Sequence, residues 1–65
     1  MDILEQIKLA WMLREASKTD EEKRYYDGVM DGISTCYRAM TGDEIKFNPI
    51  AEDGENPFYI VKKEL

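Results

Sequence analysis

"RAMTGDEIKFNPI", residues 38–50, is the stretch that decides the fold. Up to Met40, apolar side chains recur at intervals of three and four residues. Beyond Gly42 they alternate, with Ile45 and Phe47 set against Lys46 and Asn48. The first spacing is one face of a helix and the second is one face of a strand. Gly42 stands at the junction, where helices commonly end in a left-handed residue that glycine adopts without steric penalty. Arg38 falls in the last turn, where the helix dipole favours a cation.

Downstream, "PFYIVKK" at residues 57–63 is aromatic and β-branched, and "AEDGEN" at residues 51–56 contains the tight-turn dipeptide Asp53-Gly54. Together these predict a β-hairpin over 44–62. Pro49 and Pro57 lie near its turn-proximal ends, where a proline removes no central ladder bond. An isolated two-stranded hairpin is marginal in water, so this one must lie on the helices, pair with another copy, or both.

Upstream, the pattern predicts a helix over 20–40. Thr19 and Glu22 have the spacing of a capping box, and Asp20, Glu21 and Glu22 put negative charge in the first turn. Tyr25, Val29, Ile33, Cys36 and Met40 share a face, widened by Tyr26, Met30 and Tyr37. Lys23, Asp27, Asp31, Ser34 and Arg38 occupy the other side. A first helix over 2–16 is free of glycine and proline, and Asp2 favours its amino end. The short turn through "ASKTDEEK" makes the two helices antiparallel neighbours. The expected fold is therefore α+β, in the order helix–helix–strand–strand, as one small domain over 1–65.

The first helix is apolar on two sides. Ile3, Leu4, Ile7, Ala10 and Trp11 form one stripe, and Leu9, Met12, Leu13 and Ala16 lie largely opposite. Such a helix must be covered on both sides. At this length a single core rarely supplies more than about 3–5 kcal/mol, and natural chains add disulfides, a metal or a partner. One cysteine, Cys36, and no histidine exclude an internal disulfide and a conventional zinc site. Self-association remains. The expected oligomer interface is Leu9, Met12, Leu13 and Ala16 of the first helix with Ala39, Phe58 and Ile60.

The 65 residues are 43% hydrophobic and 35% charged, which is the balance of a globular chain rather than a disordered one. No apolar run approaches the roughly 18–20 residues of a membrane span, and no signal peptide is legible, because Asp2 and Glu5 stand where one would be basic. An intracellular, cytoplasmic protein is expected, in keeping with a lone cysteine. The net charge of −5 disfavours a phosphate backbone as partner and leaves two readings, attraction to a basic protein surface or solubility alone.

Gly28 and Gly32 each weaken the second helix by roughly 1 kcal/mol relative to alanine. With Ala39 they form a strip of small side chains that would admit close approach of another element. That element is the first helix, the second helix of another copy, or a ligand. Asp27 and Asp31, one turn apart, repel each other unless Lys23 or a partner's cation relieves them. Of the aromatic residues, core packing is expected for Trp11, Tyr25 and Phe47. Adjacent Tyr25 and Tyr26 cannot both face one core. The candidate partner- or ligand-binding residues are Trp11, Tyr25, Tyr26, Asp27, Gly28, Asp31, Gly32 and Tyr37.

Catalytic constellations are missing. There is no histidine to act as general base, Cys36 sits on the apolar face as a small hydrophobe, and Ser34 and Thr35 have no base at a telling spacing. "EDGEN" lacks the ligand order of a calcium loop. No metal or cofactor is implied.

The run "YYDGVMDGISTCYRAM", residues 25–40, resembles a helix of very short phage or prophage accessory proteins, with the pattern aromatic-x-x-Gly-x-x-x-Gly-Leu/Ile. That resemblance implies a small, often oligomeric protein that binds a host component, in the host cytoplasm. The expected function is inhibition or sequestration of a host macromolecule, such as a defence or regulatory protein, without catalysis. Two other readings stand beside it. One is an oligomeric nucleotide sponge, for which Lys8, Arg14, Arg24, Arg38 or Lys62-Lys63 would have to gather. The other is a structural subunit of a larger assembly.

Overall fold

Asp2 sets the start of α1, Ile3–Ala16, by accepting the Glu5 N–H on its carboxylate at 2.8 Å. Ser17 ends the helix, donating its N–H to the Arg14 carbonyl at 3.1 Å and its hydroxyl to the Leu13 carbonyl at 2.7 Å. α2, Asp20–Thr41, starts in the same way: the Thr19 hydroxyl accepts the Glu22 N–H at 3.1 Å, inside an acidic first turn. It stops at Gly42, which is left-handed at φ 81° and donates its N–H to the Arg38 carbonyl at 2.8 Å. The computed structural model describes residues 1–63.

After Gly42 the chain runs through β1, Glu44–Phe47, a ten-residue connection (48–57), and β2, Phe58–Val61. The strands are antiparallel, with Glu44 opposite Val61, Ile45 opposite Ile60, Lys46 opposite Tyr59 and Phe47 opposite Phe58. The order is thus two helices followed by a two-stranded antiparallel sheet, the predicted ααββ arrangement. The strands are shorter than the expected hairpin over 44–62, because Asp53-Gly54 turns the chain inside a longer loop. Gly54 is left-handed at φ 87°, and the Glu55 N–H reaches the Glu52 carbonyl at 3.0 Å. Asn48 closes the base of the loop, donating its N–H to the Pro57 carbonyl at 2.7 Å.

Two polar links hold the hairpin to the helices. The Asn56 amide donates to the Leu4 carbonyl at 3.1 Å while its oxygen accepts the Phe58 N–H at 3.0 Å. Asp43, directly after the helix cap, accepts the Lys63 backbone N–H at 3.0 Å and pairs with Lys62 at 3.4 Å.

Ile45 and Phe47 share one sheet face with Ile60 and Phe58, since paired residues in an antiparallel ladder point the same way. That face meets the helices. Trp11, Phe47 and Phe58 form a trio with ring centroids 5.2–6.4 Å apart, one contact edge-on and two tilted. Among the described residues the buried apolar side chains are few: Ile7, Ala10 and Phe58, with Pro57 beside them.

α2 turns only part of its expected apolar face toward the core. Tyr26, Val29, Met30, Ile33 and Tyr37 are half-buried, whereas Tyr25, Cys36 and Met40 are exposed. The inward stripe is centred on the edge of that face that carries Tyr26, Met30 and Tyr37. The cause is packing: α1 and the sheet together lie over the flank that carries Met30 and Ser34. Tyr25 therefore does not pack in the core, and Cys36 is an exposed thiol rather than a buried hydrophobe. Phe58 belongs to the core and not to an oligomer interface.

Candidate functional site

On the sheet side of the helix pair, the three elements do not close over one another. They leave an open groove of about 490 Å³, floored by Ile7 and Trp11 of α1, Met30 of α2, and Ile45, Phe47 and Phe58 of the sheet. Its polar rim is Arg14, Glu15, Asp27, Asp31 and Ser34. The hairpin strands hold only four residues each, about 13 Å of extended chain. The 22 residues of α2 run to about 33 Å. The sheet is too short to roof the helices, and the groove is the uncovered remainder.

Within the rim, the Arg14 guanidinium donates from Nε to Asp27 and reaches Glu15 at 3.4 Å. The Arg14 side chain is 33% exposed and that of Asp27 52%, so the pair adds at most about 1 kcal/mol to stability. Its main effect is on the charge a partner meets. Sequence spacing pointed to Lys23 as the cation relieving Asp27; the antiparallel approach of α1 brings Arg14 there instead. Among the described residues no ion pair reaches Asp31.

A second hollow, of about 370 Å³, lies on the opposite flank of the helix pair. Its walls are Ile3 and Gln6 of α1 with Gly32, Ile33, Cys36, Tyr37 and Met40 of α2. No charged side chain lines it, in a chain that is 35% charged. A third, of about 320 Å³, lies between Trp11 and the hairpin loop, where Lys8 faces Glu52, Asp53 and Glu55.

The predicted site residues are thus divided. Trp11, Asp27 and Asp31 meet at the sheet-side groove. Gly32 and Tyr37 border the opposite hollow. Tyr26 is half-buried, and Tyr25 stands outside it, edge-on at 5.1 Å. Gly28 faces open space, and a Cβ added at Gly28 or Gly32 would meet nothing within 4 Å. Of the three elements that the glycine strip was expected to admit, α1 is therefore not the one. Of the predicted interface residues, Leu9, Met12, Leu13, Ala16 and Ala39 are exposed and Ile60 is half-buried.

The sequence did not single out Arg14, Met30, Ile45 or Phe47 for the groove, nor Asn56 for the link to α1. Arg14 and Asp27 could have been matched by folding the two helices back on the turn at 17–19. The others depend on helix rotation.

Asp43 and Glu44, at the junction of α2 with the sheet, are held below the ordinary carboxylate range. For Asp43 the Lys63 backbone N–H is the main cause, opposed by partial burial and assisted by Lys62. For Glu44 it is the hydrogen bond and charge of Lys46. Among the described residues, no group of three or more Cys, Asp or Glu side chains gathers to hold a metal ion, and no helix is long and apolar enough to cross a membrane. Compared with known proteins, the chain matches no family model, no curated protein and no solved structure.

Proposed function

We propose that this chain is a non-catalytic binding protein of phage type that works by occupation, as an oligomer. It inhibits or sequesters a host macromolecule, a defence or regulatory protein being the expected kind, in the host cytoplasm. The observation that carries this reading is the sheet-side groove: an apolar, aromatic floor under a rim with three carboxylates, Glu15, Asp27 and Asp31, against one guanidinium. Pockets that anchor a protein partner combine an apolar seat with a few polar groups that fix orientation. The partner suited to this one offers an apolar or aromatic side chain flanked by Lys or Arg, the cation meeting Asp31.

The net charge of −5 supports attraction to a basic surface and counts against nucleic acid. The nucleotide-sponge reading finds little support in the cations. Of the candidate cations, Lys8 lines the third hollow and Arg14 the sheet-side groove, none lines the charge-free hollow, and Lys62 pairs with Asp43, so no two of them share one of these cavities.

Capture from host lysate tests the proposal. Wild-type protein is expected to retain a discrete partner, and Asp31→Lys, a change at an exposed helix position, to retain at least about tenfold less. Equal capture by the two, with matching circular dichroism, would remove the groove as the site.

A further inference from the structure

The bare flank of the helix pair carries a second assignment, which deepens the oligomeric part of the preceding proposal and rests on that reading. We infer that a second copy of this chain docks there, with the two α2 helices crossing antiparallel near Gly32 about a two-fold axis.

Surface area is the first support. The chain exposes 5137 Å², whereas a compact monomer of 7.6 kDa exposes about 4300 Å². The excess, about 850 Å², matches the roughly 800 Å² that each partner contributes to a standard stable interface. Dimensions agree: the radius of gyration is 12.3 Å, against about 10.7 Å for a compact chain of this length.

The location follows from where the apolar surface lies. Tyr25 is 67% exposed and Met40 80%, and with the exposed Cys36 thiol and half-buried Val29 and Ile33 they form one continuous flank of α2. Leu13, 43% exposed, continues the helical line of α1 on which Ile3 and Gln6 wall the hollow. The hollow there has no charged wall, so it suits an apolar occupant and not an ionic one. A two-fold interface is self-complementary, so one such flank suffices for both partners.

Direction and register follow from the residue sizes. The flank runs from Tyr25 to Met40, and its midpoint falls between Gly32 and Ile33. Antiparallel docking about that midpoint sets Tyr25 against the partner's Met40, an aromatic–sulfur contact, Val29 against the partner's Cys36, and Gly32 against the partner's Ile33. Gly32 is open, so the opposing Ile33 has room to enter. Parallel docking would instead set glycine against glycine and bring together two acidic first turns, each with Asp20, Glu21 and Glu22. Because the sheet-side groove is on the other flank, each protomer keeps it free.

Sedimentation equilibrium at tens of micromolar is expected to give twice the 7.6 kDa chain mass. Met40→Asp, at a position too exposed to upset the fold, should raise the dissociation constant about tenfold or more with helical circular dichroism retained. Val29→Cys, under mild oxidation, should yield a covalent dimer in which each introduced thiol is bonded to Cys36 of the other copy, and the wild-type chain should not crosslink. A monomeric wild type, or a Met40→Asp protein that dimerises as tightly as wild type, would overturn the inference. Efficient Cys36–Cys36 crosslinking of wild type would overturn the antiparallel register. Groove and dimer fail separately: a monomer that still loses its partner through Asp31→Lys leaves the groove standing, and a dimer whose capture ignores that change leaves the interface standing.

Discussion

The two flanks of the helix pair differ in what lies on them and in charge: Arg14, Glu15, Asp27 and Asp31 rim the sheet-side groove, and no charged side chain lines the opposite hollow. On one, a hairpin of two four-residue strands buries Phe58 and seats Trp11 against Phe47. On the other no further described element is seated, and Tyr25, Cys36 and Met40 face outward. α2 has the more sharply one-sided pattern of the two helices and contributes no buried residue, while α1, apolar around most of its surface, contributes Ile7 and Ala10. α1 packs on α2 and β2, and α2 packs on α1 and β1, so each helix has one helical and one strand neighbour.

Substitutions on the two flanks should differ most at Phe58. Phe58→Ala removes the only aromatic ring among the buried residues and is expected to lose about 3–5 kcal/mol, most of the stability of a domain this size. Met40→Ala, on the bare flank, should change monomer stability by less than about 0.5 kcal/mol. Urea titration in dilute solution checks both, and equal effects would erase the distinction between the flanks.

Gly42→Ala comes next. It forces a Cβ into the left-handed region and to 3.1 Å from the Lys63 side chain, and should destabilise by about 1–2 kcal/mol in the same titration. Asn56→Ala should cost about 1 kcal/mol, because it deletes the tie from hairpin to α1 that also receives the Phe58 N–H. If the hairpin were held by aromatic packing alone, the midpoint would not move.

A change of opposite sign is expected at Gly28, whose φ is not left-handed and whose added Cβ would meet nothing. Gly28→Ala should raise the melting temperature, worth up to about 1 kcal/mol. A loss of stability there would mean that another element uses the space.

The smallest effect is on pH. The Asp43 pKa is lowered in the folded chain, so its contribution is present above the unfolded value of about 3.9 and is lost as pH falls through the lower folded value. Thermal melts of Asp43→Asn should therefore depend less on pH than wild type below about pH 4.

Much of this architecture is legible in the residues because its signals are local. Asp2, Thr19 and Gly42 each place a helix end through hydrogen bonds spanning three or four residues, and the alternation of Ile45 and Phe47 begins where those bonds stop. The groove was legible in part: Trp11, Asp27 and Asp31 stood out by type and spacing, whereas Met30 and Ile45 did not, being ordinary core-type residues.

By itself the sequence determined the two helices, the strand pair, their order, and the shortage of apolar cover for a chain of 65 residues. All of these follow from backbone capping, periodicity and the ratio of surface to volume. Only the tertiary structure decided which apolar line of α2 turns inward, that Gly28 and Gly32 stay open, that Arg14 reaches Asp27, and that ten residues join the strands. An apolar band this wide on α2 is satisfied by any of several rotations. The shape of α1 and the reach of a four-residue strand select among them, and neither is encoded within α2 itself.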